Sequence, residues 1–244
     1  MPDEDGYFGE EVAARYDESS AEMFDPAVVE PTVDFLAELV GHGRALELGI
    51  GTGRIALPLA ARGVPVHGIE LSNAMVARLR AKPGGGEIGI TIGDFATATA
   101  DGMFSLAYLV FNTINNLTTQ EAQTACLRNV ARHLEPGGRF VVEVGVPGLR
   151  HIPPGETFHV FDASPTHWGI DEYDVENQGL VSHHFSLVAG RWQLLSMPFR
   201  YVWPSELDLM AELAGMTLRE RWSDWHRTPF TSESGKHVSV WERR

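Results

Sequence analysis

Residues 45–54 read Ala-Leu-Glu-Leu-Gly-Ile-Gly-Thr-Gly-Arg. An apolar run carrying one acid, Glu47, passes straight into glycines at every second position, Gly49, Gly51 and Gly53. Behind them Ile55, Ala56, Leu57, Leu59 and Ala60 suit a helix, with Pro58 tolerable only in its first turn. The pattern predicts a strand, a tight turn and a helix. Glycine is needed in such a turn because it takes positive φ freely and lets a ligand approach the backbone. The new helix offers its unpaired N–H groups at the same point.

Two nucleotide-binding loops fit these residues poorly. A dinucleotide fingerprint would place a glycine where Arg54 stands. A phosphate-cradling loop would need Gly-Lys followed by Ser or Thr, which the sequence lacks.

Outward from the turn, Val64–Glu70 is a short β-rich run ending in an acid, and Ser72 is a good N-cap for a helix reaching Lys82. Glu70 falls about twenty residues past the glycines, at a strand tip where a carboxylate can accept both ribose hydroxyls of a nucleoside. A third strand, Ile88–Ile92, runs into Gly93-Asp94-Phe95.

In this order and spacing, ELGIGTGR, Glu70 and the Gly-Asp-aromatic step resemble the class I S-adenosylmethionine (SAM) methyltransferases. The resemblance implies that Glu47 with Gly49, Gly51 and Gly53 holds the methionine part of SAM, and that Glu70 takes the ribose. Asp94 would accept from the adenine amino group and the Phe95 N–H would meet the ring, with Leu71 and Phe95 on either side of it. Tyr16, in VAARYDE, resembles the tyrosine of a Tyr-Asp pair that closes over SAM. Phe111, in FSLAYLVFNTINNL, is placed with the cofactor residues. That segment and VHGIELSNAMV are similar to the small-molecule branch that includes sugar N,N-dimethyltransferases. The branch implies a small-molecule methyl acceptor and S-adenosyl-L-homocysteine as product. In it, a histidine beyond the fourth strand can lie near the accepting amine. Here that position is Asn116, an amide that cannot take a proton at neutral pH.

The rest of the chain predicts an α/β, doubly wound, Rossmann-like fold with a mostly parallel seven-stranded sheet and an antiparallel β insertion after strand 5. Residues 1–42 read as N-terminal helices and 43–146 as the SAM-binding core. Residues 147–203 read as the insertion, a lid or dimerisation element, and 204–244 as the end of the core. In the insertion, Phe158–Phe161, Trp168–Tyr173, Leu180–Leu187 and Trp192–Trp203 are strand-like runs separated by turn signals. A homodimer is expected from the second face of such a sheet.

At 244 residues and 43% apolar, the chain can bury a sizeable core. The net charge of −14 argues against nucleic acid. The lone cysteine, Cys126, rules out an intramolecular disulfide framework. The start, Met-Pro-Asp-Glu-Asp, does not read as a signal peptide, and no apolar run approaches a membrane span. A cytoplasmic protein that contacts no membrane is expected.

Methyl transfer needs alignment and exclusion of water more than proton chemistry. A neutral amine attacks unaided, whereas an oxygen acceptor benefits from a base. His184 is the expected base, Asn116 the expected positioning residue, and His151 a third candidate near the mouth. Glu143, on the fifth strand, could bind a cationic group. No acidic cluster has metal-binding spacing, and no metal is expected. Two other readings stay open: a nicotinamide-dependent oxidoreductase, which Arg54 disfavours, and a SAM-binding protein without catalysis.

Overall fold

The structure, a computed structural model, describes residues 6–244; Met1–Asp5, read above for a leader, lie outside the described residues. A 3-10 turn and helix α1 (Glu10–Ser19) lead to α2 (Pro26–Val40), capped by Asp25, whose carboxylate accepts from Ala27 N at 2.8 Å. Pro31 lies inside α2, not near its start. Then β1 (Ala45–Leu48), α3 (Ala56–Ala61), β2 (Val66–Glu70), α4 (Asn73–Arg80) and β3 (Gly89–Ile92) alternate. Pro58 is the third residue of α3, within its first turn. Ser72 caps α4 by accepting from Met75 N at 3.0 Å.

The second half begins with β4 (Phe104–Leu109), α5 (Gln120–His133) and β5 (Leu134–Gly145). Residues 135–138 are absorbed into β5 as an irregularity: Leu134 and Arg139 pair with Phe104 and Leu106. Four strands follow, β6 (Phe158–Ala163), β7 (His167–Asp174), β8 (Gly179–Val188) and β9 (Arg191–Arg200). Helix α6 (Pro204–Leu213), β10 (Met216–Trp222) and β11 (Lys236–Arg243) finish the chain.

The main sheet has seven strands in the order β10-β11-β5-β4-β1-β2-β3. Strands β1 to β5 are parallel, and β11 runs antiparallel to both β5 and β10. Consecutive residues of β4 go to opposite faces, as strand geometry requires. Ala107 and Leu109 pack with α5 and α6, while Leu106 and Tyr108 pack with α2 and α3. Both faces are therefore buried, which is why this strand reads as a continuous apolar run. The strand order changes direction beside β1, between β1 and β4, so their C-terminal ends flank the crevice where open α/β sheets bind ligands.

Strands β6 to β9 form a separate antiparallel sheet in simple sequence order. Its junction with the core is a buried polar knot. Arg200 donates to Gln123 Oε1 at 2.5 Å and to Glu206 Oε1 at 2.7 Å, joining β9 to α5 and α6. Burial raises the Glu206 pKa, but hydrogen bonds from Arg200, Gln178 and Gln120 outweigh it and leave the carboxyl below its ordinary value.

One acid lies inside the main sheet. Glu47 and Tyr108 are register partners on β1 and β4, and the Tyr108 hydroxyl donates to Glu47 Oε2 at 2.9 Å. Glu47 is 3% exposed, and burial pushes its pKa up to about 8. The folded protein thus holds a proton that the unfolded chain releases. That contribution is complete below the ordinary carboxylate value and is lost as pH rises towards 8, at up to about 1.4 kcal/mol per pH unit. Glu47→Gln, which keeps the shape without the titration, should therefore gain on wild type in urea unfolding between pH 5 and pH 8.5. A stability difference that is flat across that range would show that Glu47 is charged in the fold.

Candidate active site

The glycine turn leaves β1 with Gly49, Gly51 and Gly53 at φ of 66°, 55° and 84°. A Cβ at Gly49 would come within 2.8 Å of Thr113 Cγ2, so the turn is held closely against the segment after β4. Beside it, Glu70 at the tip of β2 accepts from Gly51 N at 2.8 Å and from Ser72 N at 2.9 Å. One carboxylate thereby fixes two loops. Leu71, next along, is 44% exposed.

After β3, Asp94 accepts from Ala96 N at 2.8 Å through Oδ1. Helix α5 anchors this loop: Asn129 donates to the carbonyls of Phe95 and Ala98 at 3.0 and 2.8 Å. The Phe95 side chain packs in the core at 9% exposure, unlike that of Leu71. Of the two side chains expected beside the adenine, Leu71 is the open one and Phe95 the buried one.

Helix α1 lies across the glycine turn. Asp17 accepts from the Thr52 hydroxyl at 2.6 Å and pairs with Lys82 at 2.5 Å, and Lys82 also donates to Thr52 O at 2.8 Å. Tyr16 sits beside Phe8, and its hydroxyl pKa is raised by burial, with Arg54 opposing and Glu70 and Asp17 reinforcing. Tyr16, Arg54, Glu70 and Asp17 therefore share one electrostatic neighbourhood. Glu47 belongs to it as well, but its carboxyl is inside the sheet and spent on Tyr108.

Between β4 and the 3-10 turn Thr113–Asn116, Phe111 and Asn112 take φ of 56° and 59°. Two successive left-handed residues without glycine cost about 1–3 kcal/mol each and persist only when their surroundings fix them. Glu143 on β5 does so: Oε2 accepts from Phe111 N at 3.1 Å and its carbonyl from Asn112 N at 3.2 Å. Asn112 Oδ1 in turn accepts from Gly145 N at 2.7 Å. The outcome is a Phe111 ring left 44% exposed, with the Arg54 guanidinium 5.4 Å from its centroid.

Here a cavity of about 410 Å³ opens, walled by Met23, Val28 and Thr32 from the N-terminal segment, by Arg54 and Phe111, and by Glu143, Trp225 and Lys236. Lys236 pairs with Glu143 Oε1 at 3.1 Å. No residue of the four-stranded sheet is among those lining this cavity, which is walled by the N-terminal helices and the 225–236 segment.

The three expected catalytic side chains lie on three different segments. Asn116 and His151 are exposed, on the segments after β4 and β5. His184 lies in the four-stranded sheet, where Nδ1 meets His167 Nε2 at 3.1 Å and Nε2 meets Ser182 Oγ at 3.3 Å. His167 is held in turn by Asp162 at 2.5 Å. Among the described residues, no group of three His, Cys, Asp or Glu side chains has metal-binding geometry. Sequence reading missed Thr52, Asn112, Tyr108 and Lys236. One signal was available: the chain has two lysines, Lys82 and Lys236, and each ties down one end of this region.

Residues 45–138 match the family described as a methyltransferase domain. The chain is 36% identical to the CcbJ methyltransferase from Streptomyces caelestis, covering 97% of each chain with a TM-score of 0.86. It is 27% identical over 239 residues to a cypemycin N-terminal methyltransferase from a Streptomyces species, covering 94% of this chain and 98% of the relative. The SAM-bound amino pentose methyltransferase CalS10 from Micromonospora echinaspora shares the fold, at 21% identity, a TM-score of 0.67 and 95% coverage of both chains. With near-complete coverage at 36% identity, and with a glycine turn and acidic strand tips arranged as described, the chain belongs to the class I SAM-dependent methyltransferases.

Proposed function

We propose that the enzyme methylates a neutral amine nitrogen of a small natural product seated in the cavity at the tips of β4 and β5. The observation that carries this reading is the state of Glu143. It is the one carboxylate lining the cavity, and both its oxygens are already engaged, by Phe111 N and Lys236. No proton acceptor is left poised among the lining residues, and an amine that is neutral when it attacks needs none. An oxygen acceptor would benefit from one. Similarity to the cypemycin N-terminal methyltransferase supports the same acceptor chemistry.

The donor groove fits SAM. The Gly49, Gly51 and Gly53 backbone leaves room for a thioether chain, Glu70 stands where the ribose hydroxyls would come, and Asp94 Oδ2 remains for the adenine amino group. Leu71 offers one apolar face to the adenine ring. Bound SAM supplies an electrophilic methyl group on a sulfonium, which leaves as a neutral thioether. The chain's own part is alignment and exclusion of water. Tyr16 and the α1 helix cover the groove, and Phe111 separates it from the cavity. Asn116 and His151 are assigned to the rim of the acceptor site, and His184 to the four-stranded sheet.

That sheet has a second task. Phe158, Val160, Trp168, Trp192 and Leu194 share one face by register and are each about half exposed, at 52, 52, 49, 52 and 58%. Such a patch marks an association surface, and a second copy of the chain is the assigned cover, making a homodimer. No described helix is long and apolar enough to cross a membrane. A lone cysteine and a net charge of −14 support a cytoplasmic setting without nucleic acid.

Methyl-labelled SAM incubated with the enzyme and a metabolite extract should give a labelled product whose label is on nitrogen by mass spectrometry. Label confined to oxygen or carbon would contradict the acceptor assignment. In light scattering the wild type should run at twice its 26.9 kDa chain mass, and Trp168→Asp with Trp192→Asp should run as one chain. A single-chain wild type would remove the dimer.

A further inference from the structure

Two cavities lie along α2, and among the described residues Trp225 alone lines both. The inner one is the cavity of about 410 Å³ described above. The outer one, of about 340 Å³, is walled by Glu30, Asp34 and Glu38 of α2 and by His226 and Arg227. On the same helix Val28 and Thr32 line the inner cavity, while their chain neighbours Ala27 and Pro31 line the outer. The Trp225 side chain is buried, and its ring meets that of Phe35 edge-on at 5.4 Å.

The loop that carries Trp225 is fixed from several sides. Asp224 Oδ1 accepts from His226 N at 2.9 Å and from Thr228 N at 3.1 Å, and Ser223 N donates to Thr228 O at 2.8 Å. Arg227 takes φ of 60°, a left-handed conformation uncommon outside glycine. Glu38 accepts from its guanidinium at 2.7 Å, and that guanidinium lies 4.7 Å from the centre of the Phe35 ring. A strained step persists only where its surroundings over-determine it, and such steps cluster at ligand sites. What is determined here is the place of one large ring. Interior packing leaves few voids larger than a water molecule, yet Trp225 has a cavity on each side.

We propose that Trp225 is a specificity-determining residue, the end wall of the acceptor site. It admits acceptors that stop at its indole ring and rejects longer ones that would reach into the charged outer cavity. This rests on the acceptor placement given above.

Trp225→Gly joins the two cavities, whereas Trp225→Phe keeps a wall; melting temperatures establish that both fold. Wild type and the two variants are incubated with methyl-labelled SAM and the same metabolite extract, and labelled products are separated by mass. Wild type and Trp225→Phe should label the same compounds. Trp225→Gly should label heavier compounds as well. Added indole, which refills the space, should suppress those heavier products and raise the melting temperature of Trp225→Gly. If Trp225→Gly does not fold, Trp225→Val is read in the same way. An unchanged product set overturns the proposal, and so do heavier products that persist at saturating indole. A loss of turnover that follows the melting temperature, with no heavier product, also overturns it, because Trp225 would then only support the core. A wild type that labels no nitrogen compound contradicts the acceptor placement itself, and that result is visible before any variant is made.

Discussion

Glu70 holds together the two loops on which the donor site is built. Its oxygens accept from Gly51 N and Ser72 N, so the turn after β1 and the cap of α4 are positioned by one side chain. Amide-to-carboxylate hydrogen bonds are charge-assisted and stronger than neutral ones. They also order the glycine turn, whose residues lose the most backbone freedom on folding. The turn after β1 and the cap of α4 are therefore set relative to each other before a ligand arrives. Pre-organisation of this kind is what an alignment-dependent reaction needs.

A second layer of ties spreads outward from that point. Asp17, Thr52 and Lys82 clamp α1 over the turn, and Glu143 with Asn112 and Lys236 fixes the left-handed step at Phe111. Both clamps pair acids with backbone amides or lysine at the ends of parallel strands. The strain at Phe111 is thus placed at the wall of the cavity, with its ring 44% exposed.

Much of this was legible in the chain. The glycine spacing, Glu70 and Asp94 each lie within a few residues of a strand tip, so local pattern alone located them. The doubly wound, seven-stranded sheet followed from the alternation of strands and helices, and the insertion from its loss of helical period. What could not be read depends on contacts between distant segments. That Glu47 would be consumed by Tyr108 requires knowing that β1 and β4 are neighbours in register. That His184 would be engaged by His167 requires the β7–β8 pairing, which aligns Gly169 with His184 and leaves His167 on the same face. That the loop after β3 would be tied to α5 by Asn129, thirty-four residues from Phe95, is likewise a contact between distant segments.

The central claim is that the donor lies along the tips of β1, β2 and β3, under α1. Hydrogen–deuterium exchange with and without saturating S-adenosyl-L-homocysteine tests it most directly, since the Gly51 and Ser72 amides report on the groove themselves. The account predicts added protection in residues 10–20, 49–54, 70–73 and 93–96, with the β6–β9 sheet unchanged. Protection confined to that sheet or to residues 225–236, with none at 49–54, would contradict it.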